Sequence, residues 1–65
     1  MTSSVIDLEA LAPNWNANGL TWIAFGNFTE NDIEGLKFQW FPDDAEKRGR
    51  LQDIWTRHHE RQQGI

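Results

Sequence analysis

Residues 20–41 decide the fold of this chain. They read LTWIAFGNF, then the polar link TENDIEG, then LKFQWF. All four Phe and two of the four Trp of the 65-residue chain lie in this stretch. Because a buried aromatic side chain removes about 150–250 Å² from water, no other part of so short a chain offers comparable apolar area. The secondary structure of this stretch therefore sets the fold class.

Two strands are predicted within this stretch, at residues 20–28 and 36–41. Leu36, Phe38 and Trp40 alternate with polar residues, as in a strand with one buried face. Aromatic and β-branched residues favour a strand at 20–28 as well. The link between them has turn-forming residues and is too short for a parallel crossover, so the pair is predicted to form an antiparallel hairpin.

Residues 14–17 allow two interpretations. Asn18-Gly19 favours a type I′ turn, which would make 14–17 an edge strand and place Trp15 opposite Trp22. The alternative is a loop whose Trp15 side chain enters the core. The sheet is therefore predicted to have two or three strands.

A helix is predicted at each end of the chain. Ser4 and Asp7 resemble a capping box, and the apolar spacing that follows indicates a helix over about residues 4–12, docked through its apolar residues Val5, Leu8 and Leu11. Asp43 is the predicted N-cap of the second helix, with Glu46 at its third position. That helix carries an apolar stripe made of Leu51, Ile54, Trp55, His58 and Gln62. Gly49 interrupts it and is predicted to allow a close approach to the sheet.

The expected fold class is α+β, with residues 1–65 as a single domain. An N-terminal helix, the two- or three-stranded antiparallel sheet and a C-terminal helix follow in order, with both helices on one face of the sheet. The open face is predicted to expose apolar residues from the set Ile23, Phe25 and Phe41, or else Trp22. Exposed aromatic patches usually mark an interface.

Composition argues against several classes of chemistry. The chain has no Cys, so disulfides and thiolate metal sites are excluded. His58 and His59 are adjacent, and neighbours on a helix point about 100° apart, so no metal or cofactor site is predicted. The only serines, Ser3 and Ser4, lie at the N-terminal end, and no catalytic role is predicted for them. No membrane span or signal peptide is predicted, and the expected location is the cytoplasm.

Charge is divided unevenly along the chain. Residues 1–46 contain eight acidic residues and one lysine, whereas residues 47–65 contain five basic residues and two acidic ones. Six of the acids are predicted to form a negative surface that binds a partner protein, here called the acidic set: Glu30, Asp32, Glu34, Asp43, Asp44 and Glu46. A complementary field of this kind speeds association and fixes register.

The basic C-terminal segment supplies the alternative hypothesis. Its five cations could contact nucleic acid phosphates or an acidic partner, and they are Lys47, Arg48, Arg50, Arg57 and Arg61. The sequence pI of about 4.9 disfavours direct binding to nucleic acid. A small regulatory or structural module is therefore the second interpretation, and an oligomerising accessory subunit is the third.

In size, acidity, lack of Cys and lack of an enzymatic motif, the chain resembles anti-CRISPR proteins, which are small phage proteins that act on type I surveillance complexes. The acidic set is the sequence detail that comes closest to that group. The resemblance implies binding to Cascade inside a host cell and obstruction of target-DNA recognition by mimicking DNA. The expected function is thus non-enzymatic inhibition by a monomer or homodimer.

Overall fold

The computed structural model describes residues 5–63, which form four helices joined by turns. The helices are α1 (Val5–Leu11), α2 (Trp22–Gly26), α3 (Glu30–Trp40) and α4 (Ala45–Gln63). No residue within 5–63 belongs to a strand, so the predicted α+β class and its antiparallel sheet are wrong. The segments predicted as strands are a turn at 14–17, α2 with its flanks, and the second half of α3.

The longest helix, α4, organises the fold because each of the other three packs against it. Its predicted apolar stripe is confirmed: Leu51, Ile54, Trp55 and His58 are all buried. The rest of the buried core comes from the other segments and consists of Leu8, Trp15, Phe25 and Ile33. The domain measures 35 × 22 × 20 Å, so its thickness is about that of two helix layers.

A capping box starts α3 and explains why its sequence is helical. The Thr29 hydroxyl accepts a hydrogen bond from the Asp32 amide at 3.2 Å, and the Asp32 carboxylate accepts one from the Thr29 amide at 3.1 Å. The buried side of α3 then carries Ile33, Leu36 and Trp40 at helical spacing. Phe38, which a strand would place beside Leu36 and Trp40, lies outward and is 54% exposed.

The five-residue helix α2 replaces the strand predicted at 20–28. The Thr21 hydroxyl caps it by accepting a hydrogen bond from the Ala24 amide at 3.1 Å. Phe25 and Gly26 are buried, and Trp22 packs on the core. These positions are three and four residues apart, as on one face of a helix. Ile23 lies on the other side and is 66% exposed, whereas Phe25, which a sheet would have exposed, is fully buried.

A tight turn over residues 13–19 connects α1 to α2. Ala17 N–H bonds to Asn14 O and Gly19 N–H bonds to Asn16 O, each at 3.0 Å. A type I′ turn needs positive φ at both central residues. Only Gly19 has it among the described residues, with a φ of 87°, so the predicted turn type is wrong. The turn instead directs Trp15 into the core, where its ring meets Trp22 edge-on at 6.4 Å.

The predictions for the two terminal helices are largely confirmed. Leu8 is fully buried on α1, and Val5 and Leu11 pack beside it. The predicted start of α1 at Ser4 lies outside the described residues. No helix among residues 5–63 is long and apolar enough to cross a membrane.

Two local predictions about α4 are corrected. Its N-cap is Asp44 rather than Asp43, because the Asp44 carboxylate accepts a hydrogen bond from the Lys47 amide at 3.1 Å. The predicted role of Gly49 in a close approach is also wrong, since no atom lies within 4 Å of the place that a methyl group would occupy. The close approach occurs at Gly26, where α2 meets α4.

Candidate functional site

The acidic set follows α3 and the loop that leads into α4. Glu30, Asp32 and Glu34 lie in the first half of α3, which is about 16 Å long. Successive helical residues turn by about 100°, so Asp32 points about 160° away from both Glu30 and Glu34. Asp43 precedes the Asp44 cap, and Glu46 lies in the first turn of α4. The carboxylates thus surround this part of the molecule rather than form one compact patch.

Four members of the acidic set have local structural partners. Asp32 and Asp44 accept hydrogen bonds from backbone amides at the starts of α3 and α4. Glu34 pairs with Lys37, and Glu46 pairs with Arg50 at 3.6 Å. The Glu46–Arg50 pair is exposed on both sides, and such pairs contribute only about 0.3–0.5 kcal/mol, so Glu46 can exchange partners at little cost. The Lys37 partner of Glu34 is mostly buried.

The remaining two members, Glu30 and Asp43, are exposed and take part in neither a cap nor an ion pair within the described structure. Glu30 occupies the first position of α3, where the helix dipole favours a negative charge. Asp43 lies in the turn after Pro42. These two carboxylates are therefore the members whose charge is most fully directed to solvent.

Two of the cations near the acidic set, Lys37 and Arg48, are turned toward the protein. The Lys37 side chain is 12% exposed, and its ammonium group donates to Gln52 Oε1 at 2.7 Å besides pairing with Glu34. Arg48 lies over the Phe38 ring at 4.4 Å and donates to the carbonyls of Phe41 and Pro42. The exposed carboxylates are thus more accessible to a partner than these two cations, whereas Arg50, which pairs with Glu46, is 67% exposed.

The basic residues of α4 divide into two groups. Arg48 serves the α3–α4 loop, whereas the other cations follow one side of the helix at alternating spacings of three and four. This side of α4 also includes the apolar residue Ile54, and it is here called the basic stripe. Its residues are Lys47, Arg50, Ile54, Arg57 and Arg61. Arg57 pairs with Asp53 at 3.2 Å, and both side chains are more than half exposed.

A groove of about 470 Å³ lies along the basic stripe, between α1 and α4. Lys47, Arg50 and Arg57 line it together with Ile54. Its other lining residues, mainly from α1, are Asp7, Ala10, Leu11 and Asp53. The groove therefore combines an apolar part with a mixed charged part in which cations outnumber carboxylates.

A second, more apolar groove of about 370 Å³ lies between the end of α1 and the end of α3. Trp15, Trp40 and Phe41 are among its lining residues. The Trp15 indole N–H is buried without a hydrogen-bond acceptor among the described residues. Lys47 lies 5.9 Å from the centre of the Phe41 ring, so both charged and apolar groups adjoin this groove.

The two histidines attach α2 to α4. His58 Nε2 donates to Trp22 O and His59 Nδ1 donates to Gly26 O, both at 2.8 Å. The His58 ring stacks on Trp22 at 3.8 Å and the His59 ring on Trp55 at 4.6 Å. His59 thus has a packing role as well as His58. Within residues 5–63 no group of three or more His, Cys, Asp or Glu is placed to hold a metal ion.

Sequence reasoning missed Phe38 as an exposed aromatic residue. In a strand it would be buried with Leu36 and Trp40, but in α3 it follows Glu30 and Glu34 at four-residue intervals on the outer side. The Thr29–Asp32 pair was the available signal for this helix, because it has the spacing of a capping box. Ile23 was among the residues predicted to be exposed, and it is.

Comparison with known proteins gives no match: no family model, no curated protein and no solved structure is significantly similar to this chain.

Proposed function

We propose that this protein is a non-enzymatic inhibitor that binds a basic surface of a nucleic-acid-binding complex through its acidic set. The exposure of the carboxylates, compared with the withdrawal of Lys37 and Arg48, is the observation that carries the proposal. A partner approaching α3 and the following loop meets negative charge before it meets either cation. Complementary charge of this kind accelerates encounter and orients the partner.

The type I CRISPR surveillance complex is the first partner to test, because the chain resembles anti-CRISPR proteins in size, acidity and composition. In this proposal the acidic set occupies a surface that otherwise binds target DNA. The three carboxylates of α3 span about 6 Å of the helix axis, and the other three follow in the loop and the first turn of α4. In this proposal they contact separate basic groups that otherwise bind a phosphate backbone.

The test requires variants that change charge without removing a cap. Asp32 and Asp44 are unsuitable because each holds a helix start. Glu30→Lys with Asp43→Lys reverses two exposed charges that accept no capping hydrogen bond. The matched control is Glu9→Lys with Glu60→Lys, which makes the same change in net charge at exposed positions on α1 and α4.

The assay measures binding of a purified type I complex to its target duplex in a gel mobility shift. We expect the wild-type protein to prevent the shift, the Glu30/Asp43 variant to lose about tenfold or more in potency, and the Glu9/Glu60 variant to keep its potency. Equal potency of the two variants would contradict a role for the acidic set. A wild-type protein with no effect on the shift would contradict the choice of partner.

A direct binding experiment separates this proposal from the alternative, in which the basic helix contacts nucleic acid. The protein is titrated against a labelled DNA duplex at several salt concentrations. Phosphate contacts would give an affinity that falls steeply with salt and that Arg50→Ala and Arg57→Ala both reduce. Our proposal predicts no measurable binding to the duplex at moderate ionic strength.

A further inference from the structure

The outer side of α3 carries a ridge of two acidic residues and one exposed aromatic residue. Glu30, Glu34 and Phe38 follow one another at four-residue intervals, so they form one nearly straight line along the helix. Both glutamates are exposed, and Phe38 is 54% exposed although Arg48 lies over its ring. Such an exposed aromatic residue beside charged groups is typical of an interface. We call these three residues the acidic ridge.

The basic stripe on α4 has the complementary order of chemistry. Starting from Ile54 and moving toward the start of α4, the next residues are Arg50 and Lys47, and all three line the groove between α1 and α4. Starting from Phe38 and moving toward the start of α3, the next ridge residues are Glu34 and Glu30. Each surface therefore has an apolar residue followed by two charged residues, which are basic on α4 and acidic on α3.

The spacings of the two surfaces also agree. A rise of 1.5 Å per residue separates Phe38 from Glu34 by about 6 Å and Phe38 from Glu30 by about 12 Å. On α4 the same rise separates Ile54 from Arg50 by about 6 Å and Ile54 from Lys47 by about 10.5 Å. The mismatch of about 1.5 Å is smaller than the reach of a lysine or arginine side chain.

We propose that copies of this protein associate head to tail, with the acidic ridge of one copy docked in the α1–α4 groove of the next. Phe38 then contacts the apolar part of the groove formed by Ala10, Leu11 and Ile54. Glu34 pairs with Arg50 of the neighbouring copy, and Glu30 pairs with its Lys47. This inference goes beyond the proposed inhibition, because the ligand is a second copy of the same chain.

The docking exchanges the existing partner of Arg50 and adds a partner to Glu34, which Lys37 already contacts. Arg50 is paired with Glu46 at 3.6 Å, and the two side chains are 67% and 79% exposed, so this pair is easily exchanged. Asp7 and Asp53 also line the groove, but Arg57 pairs with Asp53. Lys37, whose side chain is 12% exposed, pairs with Glu34 and neutralises part of the negative charge of the ridge. The association is therefore expected to be salt-sensitive and to depend on Phe38 for its apolar contact.

A contact between two different surfaces is heterologous, so it extends into chains or closes into a ring. Sedimentation of the full chain over a wide concentration range is the direct test. We expect the average mass to exceed that of a monomer, to rise with concentration and to fall with salt. A wild-type protein that stays monomeric at the highest soluble concentration would overturn the proposal.

Charge exchange tests the proposed register. Glu34→Arg and Arg50→Glu should each weaken association by about tenfold or more, because each brings like charges together. A one-to-one mixture of the two variants should recover association, since every contact then joins opposite charges. Glu60→Arg, about 15 Å along the axis of α4 from Arg50, is the matched control and should associate as the wild type does. A mixture that does not recover, or single variants that associate normally, would overturn the proposal.

Phe38→Gln keeps the experiment informative if a charge variant folds poorly. The ring lies on the outer side of α3, so helix content by circular dichroism should not change, whereas association should fall about tenfold. Normal association of a folded Phe38→Gln protein would overturn the proposal. The inhibition assay is independent of these results, because a monomer that still blocks DNA binding leaves the proposed function intact.

Discussion

Replacing Gly26 by alanine tests the contact that joins α2 to α4. A methyl group at this position would lie 2.5 Å from both Cδ2 and Nε2 of His58 and 2.7 Å from Gln62 Oε1. The Gln62 amide can move away because it ends a flexible side chain. The His58 ring cannot move freely, because it stacks on Trp22 at 3.8 Å and donates to Trp22 O.

The expected loss of stability follows from these contacts. Forcing one extra methyl group into a packed site costs about 1–3 kcal/mol. Loss of the His58 hydrogen bond adds about 0.5–1.5 kcal/mol. Replacing a helical glycine by alanine stabilises the helix by up to about 1 kcal/mol. We therefore expect Gly26→Ala to lower the free energy of unfolding by about 0.5–4.5 kcal/mol, with a central value of about 2.5 kcal/mol.

Gly35→Ala is the matched control, because it makes the same chemical change within α3. No atom lies within 4 Å of the added methyl group there, so we expect a gain of up to about 1 kcal/mol from helix propensity. Urea denaturation followed by circular dichroism gives both free energies. A Gly26→Ala protein at least as stable as the wild type would refute the argument that α2 is held by close contact with His58.

Two further substitutions test the cap of α3 and the stacking of His58. Thr29→Ala removes the capping box and should lower the free energy of unfolding, measured by urea denaturation, by about 1 kcal/mol. The control Asn31→Ala, at an exposed neighbouring position, should change it little. Equal effects of the two substitutions would argue against the cap. His58→Ala removes a buried ring and a hydrogen bond and should cost about 2–4 kcal/mol, with loss of near-ultraviolet circular dichroism from Trp22. An unchanged spectrum would contradict that stacking.

The sequence predicted α1 and α4 correctly because their signals are local and long enough to be decisive. The stripe that begins at Leu51 repeats over three turns of α4, and no alternation of period two competes with it. The apolar spacing of Val5, Leu8 and Leu11 has the same character. The charge division between the two parts of the chain is likewise a property of composition, and it led directly to the acidic set.

The acidic set could be selected from the sequence, but its geometry could not. Charge alone does not reveal that Asp32 and Asp44 hold helix starts or that Lys37 and Arg48 turn inward. Those facts depend on where α3 ends and how it returns to α4. The acidic ridge was also invisible, because Glu30, Glu34 and Phe38 share a line only when residues 30–40 are helical.

Sequence alone determined the two terminal helices and the separation of charge, since each arises from residues close together in the chain. Tertiary structure decided the conformation of residues 20–41. A short segment rich in aromatic residues fits both the two-residue period of a strand and the 3.6-residue period of a helix. A five-residue helix such as α2 is also unstable in isolation. Here α2 persists because Trp22, Phe25 and Gly26 pack against His58 of α4, a contact between residues more than thirty positions apart.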